Sequence, residues 1–275
     1  MRIGLVGLGR MGAAMRSRLT ETGAEVLAFD IAPGHGGVAR LEDVAAPLVL
    51  LSLPDARAVG AVLDGLLPAL TAGAVIADTS TISPIEARAF AARAEAAGHA
   101  YLDAPVSGGP AGAAAGTLTV MLGGTEAALE RARPGLERIA ARILHVGASG
   151  AGQVAKLVNN LLVATHLVVA GEALRIGTAA GVSAEALLSV VNSASGRSAV
   201  TEVNLPRWVL SASFDSGFTA GLMRKDARLA MDLARAVGAA PSACGAAVAA
   251  WEGASLADDA DFNRIAALLM AGDAA

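Results

Sequence analysis

Short apolar runs alternate with stretches of helical periodicity through the first half of the chain. The runs Arg2–Val6, Glu25–Phe29, Pro47–Leu53, Ala74–Asp78, Ala100–Asp103, Thr117–Leu122 and Ile143–Val146 predict strands. Between them, Ala13–Thr22, Ala56–Leu67, Pro84–Ala97 and Thr125–Ala141 carry helical periodicity. Strands alternating with helices predict an α/β domain built on a doubly wound parallel sheet. From Gln153 to Met270 the strand signal all but disappears, and long helical patterns follow one another with breaks at Gly181, Pro206, Gly217 and Pro241. The change falls in the Gly-rich segment Gly147–Gly152. The expected division is therefore an α/β domain over 1–150 and an all-α domain over 151–275. No convincing internal repeat is present.

Composition narrows the class. Of 275 residues, 54% are hydrophobic but only 3% aromatic, so the apolar content is mostly Ala, Val and Leu. Charged residues are 17%, which argues for extensive burial and against disorder. A net charge of −4 without basic runs leaves no electrostatic footprint for nucleic acid. The single cysteine, Cys244, excludes an intramolecular disulfide and a Cys-based zinc site, and makes the cytoplasm the default compartment. A mean hydropathy of +0.55 raises the question of a membrane span. The most apolar long window, Leu157–Leu174, carries Asn159, Asn160, Thr165, His166 and Glu172, whereas a spanning helix needs about 20 residues nearly free of such groups. A buried helix is the expectation there, with no membrane partner. The apolar stretch after Arg2 is broken by glycines and ends at Arg10, unlike a signal peptide.

The first strand runs directly into Gly7-Leu8-Gly9-Arg10-Met11-Gly12, a G-x-G-x-x-G pattern that opens a helix. In that context the three glycines serve different ends. Gly7 allows the tight turn, Gly9 the close approach of a pyrophosphate, and Gly12 the contact of helix with strand. The helix N-terminus then presents free N–H groups and the positive end of its dipole to the anion. Asp30 closes the second strand, 21 residues beyond Gly9, where an acidic side chain accepts from the ribose hydroxyls and repels a 2′-phosphate. No Arg or Lys follows until Arg40. These residues point to a dinucleotide cofactor, NAD in preference to NADP, with NADP still open.

Four blocks in a fixed order extend over nearly the whole chain: the glycine loop; Asp103-Ala104-Pro105-Val106-Ser107-Gly108-Gly109 continuing to Gly116-Thr117-Leu118-Thr119; Gly150-Ala151-Gly152-Gln153-Val154-Ala155-Lys156-Leu157-Val158-Asn159-Asn160; and Lys225-Asp226. Together they resemble the β-hydroxyacid dehydrogenase family, which includes 3-hydroxyisobutyrate dehydrogenases and tartronate semialdehyde reductases. The resemblance implies a Rossmann-type domain, a long interdomain helix and a helical C-terminal domain. It also implies hydride transfer between NAD and a small β-hydroxy carboxylic acid. One stretch departs from the family pattern. Only 16 residues, Ile31–Ala46, separate Asp30 from the third strand, where the family has a helix, a strand and another helix. Here Val38–Ala46 has room for a short strand and a helical turn.

Ser107-Gly108-Gly109 follows a strand end, where parallel sheets bind ligands. Its hydroxyl and exposed N–H groups suit a carboxylate, although the same residues fit a plain turn. The resemblance implies that this loop grips the substrate carboxylate. Lys156 lies in the apolar stretch Val154–Val158, where an ammonium is costly and burial lowers its pKa, making a usable acid–base group. Asn160, four residues on, shares its helix face. The resemblance implies that Lys156 is the general acid–base and Asn160 its partner at the substrate. It also assigns Thr81 and Lys225 to cofactor contacts. Ser52-Leu53-Pro54, at another strand end, is expected beneath the cofactor ribose. Trp208, Phe214 and Phe218 fit either a pocket wall or the core. His35, His99, His145 and His166 lack ligand spacing, so no metal is expected.

Within the same fold, a decarboxylating phosphogluconate enzyme would carry His three residues after the lysine, where this chain has Asn159, and an imine reductase would typically lack the lysine. A non-catalytic dinucleotide-binding or scaffold protein would need neither Lys156 nor Asn160. Ser195-Gly196-Arg197-Ser198 resembles the hydroxyisobutyrate-type members. Low charge on the faces Leu157–Leu174 and Ala243–Trp251, together with the resemblance, leads to the expectation of a homo-oligomer, dimer or tetramer, built through the helical half.

Overall fold

The apolar runs of the first half lie side by side in one sheet because their residues are covered from both faces. In the computed structural model, which describes residues 1–272, β1 (Arg2–Val6), β3 (Leu48–Leu51), β4 (Val75–Asp78) and β5 (Ala100–Asp103) are buried at nearly every position. Such runs suit the interior of a parallel sheet. The order is β2 (Glu25–Phe29), β1, β3, β4, β5, then β7 (Leu118–Gly123), with β6 (Val106–Ser107) and β8 (Ala140–Gly147) also pairing β7. Strands β1 to β5 are parallel. Their side chains divide by the two-residue alternation of a pleated strand. Ile3, Leu5, Leu48 and Leu50 meet Met15 and Leu19 of α1 (Arg10–Glu21), Ala113 of α4 (Gly109–Ala115), and Leu129 and Leu136 of α5 (Glu126–Leu136). Val49, Leu51 and Ile76 meet Val59, Leu63 and Leu66 of α2 (Ala56–Leu66) and Ala87 and Ala94 of α3 (Pro84–Ala96). Helices thus cover both faces, the doubly wound arrangement.

The sheet is not wholly parallel. β5 and β6 meet β7 in one antiparallel register, Asp103 opposite Gly123, Val106 opposite Val120 and Ser107 opposite Thr119. The connection from β6 to β7 holds only the seven-residue α4, and a parallel return needs a crossover of about a dozen residues or more. The chain therefore reverses there, before α5 restores a parallel crossover to β8. Both β6 and α4 were missed in the sequence, because Pro105, Gly108, Gly109 and Pro110 read as turn residues; Pro110 is accommodated in the first turn of α4, where its missing N–H costs nothing. The helix expected over Thr125–Ala141 ends at Leu136, two residues after Pro134, and Ala140 and Ala141 belong to β8. In Ile31–Ala46 the expected short strand is absent. One 3-10 turn, Leu41–Val44, forms, and the Val38 N–H donates to the Ala28 carbonyl at 2.8 Å, so β2 remains the sheet edge.

The chain divides into two compact units, the first ending at Lys156 and the second beginning at Leu157, within the 29-residue helix α6 (Ala151–Ala179). The division expected from the sequence lay at the Gly-rich segment just before this helix, and its last residues, 273–275, fall outside the described ones. The second unit continues with α7 (Ala184–Ser193), a π-helical segment (Val200–Leu210), α8 (Ala220–Ala236), α9 (Ser242–Gly253) and α10 (Arg264–Ala271). Its core centres on Trp251, fully buried, whose indole N–H donates to the Ala164 carbonyl at 3.1 Å. Buried Arg224 donates to the carbonyls of Trp251, Ala254 and Leu256 and pairs with Asp258, tying α8 to the end of α9 and the segment after it. By length and composition alone α6 could cross a membrane. Leu157, Ala164, Leu167, Val168 and Leu174 on this helix are nevertheless buried, the last four in the core of the second unit. The Ala243–Trp251 face also turns into this core through Ala247 and Trp251, with Val248 buried beside them in sequence. The large apolar side chains left exposed on α6 are Val158, Leu162, Val169 and Ile176.

Candidate active site

The cofactor candidates of the first unit collect at the C-terminal ends of parallel strands. Gly7 leaves β1 with φ +93°, and a Cβ there would collide with the Ser52 carbonyl; one at Gly12 would collide with the Gly7 carbonyl. Gly9 caps α1 without a side chain, and a Cβ at Gly9 would meet nothing within 4 Å. The two outer glycines are therefore demanded by the backbone itself, whereas the middle one opens onto free space, as a loop that admits a pyrophosphate requires. Exposed Arg10 and half-buried Met11 begin α1. Buried Leu8 donates its N–H to Asp30 Oδ2 at 2.6 Å, and Asp30 Oδ1 accepts from the Ala32 N–H at 2.8 Å. Each carboxylate oxygen keeps a further lone pair for a hydroxyl donor. The residues thus fit a dinucleotide. Ser52-Leu53-Pro54 follows β3, with the Leu53 N–H on Ser80 Oγ at 2.9 Å, and Thr81 follows β4 in the same loop as Ser80. The short Ile31–Ala46 segment borders a hollow of about 540 Å³ along α1, bounded by Leu8, Ala13, Arg16, Thr20 and His35 among others.

The carboxylate-loop candidates lie next to the lysine. Beyond β6, Gly108 and Gly109 have φ of +125° and +64°, conformations that favour glycine, and Gly108 caps α4 without a side chain. Lys156 is 7% exposed, and its Nζ donates to the Val106 carbonyl at 2.8 Å, one residue before Ser107. Asn160 lies one helical turn on, in the second unit. Its Nδ2 donates to Asp226 Oδ2 at 2.7 Å and its Oδ1 accepts from Asn159 Nδ2 at 3.0 Å. Lys225 Nζ stands 3.5 Å from Asp226 Oδ1. Ser195–Ser198 borders an open pocket of about 400 Å³ on the helical unit, with His166, Val169, Leu188 and Thr201 on its walls. Trp208, Phe214 and Phe218 are half-buried; Phe218 packs edge-on against Phe262, and Arg264 lies over the Phe214 ring.

Several polar residues at these strand ends escaped the sequence reading. Gln153 is fully buried and pins the Ser80–Ile82 loop, accepting from the Ile82 N–H at 3.1 Å and donating to the Ser80 carbonyl at 2.8 Å. Asp103 accepts from the Gly150 and Gln153 N–H groups, and burial raises its pKa in spite of those bonds. Asp78 is fully buried, accepting from the Ser80 N–H at 2.9 Å and the Tyr101 hydroxyl at 2.6 Å. Burial pushes its pKa up to about 6, against the pull of those hydrogen bonds, and burial also drives the Tyr101 phenol up. The signal available for these residues was only that acids close β4 and β5, which does not distinguish a buried carboxylate from a surface one.

Two family models cover the chain. One described as the NAD binding domain of 6-phosphogluconate dehydrogenase matches residues 2–147, and one described as NAD-binding of NADP-dependent 3-hydroxyisobutyrate dehydrogenase matches residues 150–269. The chain belongs to the β-hydroxyacid dehydrogenase family. It is 39% identical over 246 residues to a 2-(hydroxymethyl)glutarate dehydrogenase of Eubacterium barkeri, covering 84% of this chain and 82% of that protein. An NAD-dependent L-serine dehydrogenase of Pseudomonas aeruginosa is 40% identical over 256 residues, 86% of each chain. The solved structure of a Mycobacterium tuberculosis 3-hydroxyisobutyrate dehydrogenase with L-serine superposes with a TM-score of 0.90 at 37% identity, covering 97% of this chain and 98% of that one. This family member is thus an oxidoreductase with an N-terminal NAD-binding domain and a helical C-terminal domain.

The Asp78 carboxyl carries a pH signature. Its folded pKa of about 6 exceeds the ordinary 3.8, so between these values the folded state holds a proton that the unfolded state has released. Stability from this group is therefore lost as pH rises through that window, by about 3 kcal/mol in all. In Asp78→Asn the loss disappears. Urea unfolding at pH 4 to 7 should show wild-type stability falling relative to the variant by about that amount. A pH-independent difference would contradict the assignment.

Proposed function

We propose that this chain transfers a hydride between NAD and a small β-hydroxy carboxylic acid of the 3-hydroxyisobutyrate type, with Lys156 as general acid–base. The observation that carries the reading is the hydrogen bond of the buried Lys156 amine to Val106, one residue before Ser107-Gly108-Gly109. An amine placed there reaches the hydroxyl of a substrate whose carboxylate lies on the Ser107 hydroxyl and the N–H groups of Gly108 and Gly109. In a β-hydroxy acid one carbon separates carboxylate and carbinol, so the loop and the amine can each meet one of the two groups. Bound NAD supplies the hydride acceptor. Lys156, neutral, takes the hydroxyl proton as the carbinol carbon is oxidised, and returns it in the reverse direction. Asn160, fixed by Asp226, holds the substrate hydroxyl; Gly7 to Gly12, Asp30, Ser52 to Pro54, Thr81 and Lys225 hold the cofactor. Relatives named for 2-(hydroxymethyl)glutarate, L-serine and 3-hydroxyisobutyrate support a β-hydroxy acid, and the Ser195–Ser198 segment favours the hydroxyisobutyrate type. We place the protein in the cytoplasm on its cysteine usage.

General acid–base groups contribute about 10²–10⁴ in rate. Lys156→Met should lower kcat by about that factor while NAD affinity, followed by fluorescence titration, stays at the wild-type value. Full activity on a panel of β-hydroxy acids would sink the assignment.

Asp30 accepts from the ribose hydroxyls in this reading and repels a 2′-phosphate, effects together worth roughly 1–3 kcal/mol. The ratio of kcat/KM for NAD over NADP should be about 10–100 and should shrink in Asp30→Ser. Equal values for the wild type would refute the preference.

Self-association through the helical half completes the proposal. Val158, Leu162, Val169 and Ile176 repeat along one exposed stripe of α6, an apolar surface of the kind that a second copy covers. Light scattering coupled to size exclusion should give at least twice 27.2 kDa at micromolar concentration. A monomer mass throughout would reject it.

A further inference from the structure

The helix that carries Lys156 starts on a buried carboxylate. Asp103, the last residue of β5, is fully buried; its Oδ1 accepts the Gly150 N–H at 2.7 Å and its Oδ2 the Gln153 N–H at 3.0 Å. Both oxygens act as acceptors, so the ionised form is the one these bonds select, and the N-terminus of α6 is where a negative charge is favoured. The niche is cut to the carboxylate. A Cβ at Gly123, its partner across β7, would stand 2.6 Å from Oδ1, and one at Gly152 would stand 2.9 Å from Oδ2. Neither neighbour can carry a side chain without moving the acid.

Three residues past Asp103, the Val106 carbonyl receives the Lys156 amine; three residues past Gln153 on the helix stands Lys156 itself. Segment 103–106 and the start of α6 are therefore joined at two points. One joint is the Asp103 carboxylate on the helix N–H groups, the other the lysine head. From this geometry we propose that Asp103 is a positioning residue for the reaction, setting the place of the Lys156 amine beside the Ser107 loop by clamping the start of α6 to β5. The inference rests on Lys156 being the general acid–base. Asp103 touches neither substrate nor cofactor in it. Asp78 and Tyr101, on the neighbouring strand and on β5, serve a separate hydrogen-bond pair.

Asp103→Asn keeps the shape of the side chain but replaces one acceptor with a donor, aimed at an N–H group. A displacement of about 1 Å at a reacting group can cost about 100-fold. The variant should lose about 10- to 100-fold in kcat with the Kd for NAD unchanged. Its solvent deuterium isotope effect on kcat should rise, because proton transfer becomes the slow step; a smaller folded fraction would lower kcat without moving that ratio. In the Lys156→Met background the Asp103→Asn change should add nothing, since the group it positions is gone. Gly123→Ala, whose Cβ would press on both the carboxylate and the Gly152 N–H of α6, should reproduce the kcat loss and provides the second variant if Asp103→Asn does not fold. Wild-type kcat in Asp103→Asn, an undiminished effect in the Lys156→Met background, or failure of both variants to yield folded protein would overturn the proposal. Full activity of Lys156→Met alone would instead overturn the acid–base assignment, and is read separately.

Discussion

A lysine amine held at 7% exposure has to be kept on oxygen, and the site is arranged around that requirement. The Val106 carbonyl meets it, and doing so commits the chain after β5 to a particular path. Pro105 breaks the strand, Val106 and Ser107 resume pairing with β7, and two glycines in positive-φ conformations turn the chain into α4. The same few residues thus supply the acceptor for the amine and the free N–H groups beside it. Moving either would strand a polar group in a place with little water.

The interior at the strand ends holds several buried polar side chains, and its groups are matched in pairs. Asp78 with Tyr101, Asp103 with the start of α6, and Gln153 with the loop after β4 each exchange hydrogen bonds within the first unit. Small residues make this possible. Gly123 and Gly152 leave room for the Asp103 carboxylate, and Gly7 and Gly12 leave room for the carbonyls of Ser52 and Gly7. At these four positions glycine serves close approach of backbone and carboxylate rather than flexibility. In the helical unit, Asp226 plays the comparable part, orienting the Asn160 amide and facing the Lys225 ammonium.

Much of the fold was legible because its signals are local. The apolar runs that became β1, β3, β4 and β5 read as strands since burial on both faces demands uninterrupted aliphatic residues. The glycine loop, Asp30, the Ser107 loop and Lys156 stand in patterns whose spacing is set by the turn or helix that holds them. Less legible were the elements that depend on distant partners. β6 is two residues long and exists only because Val120 and Thr119 lie opposite it. The antiparallel turn of β7 follows from the shortness of α4, and the early end of α5 from Pro134.

What the sequence by itself determined is the order of elements, the composition change at the Gly-rich segment, and the residue types that chemistry of this class requires. Those follow from periodicity, from φ preferences and from side-chain chemistry, all of which act within a few neighbours. Only the tertiary structure decided that Asp103 and Gln153, fifty residues apart, share a hydrogen bond, that the Ala243–Trp251 face is spent inside its own unit, and that the α6 stripe of Val158, Leu162, Val169 and Ile176 is left outside. A carboxylate or an apolar stripe looks the same in sequence whether buried or exposed. Which it becomes depends on what the rest of the chain packs against it.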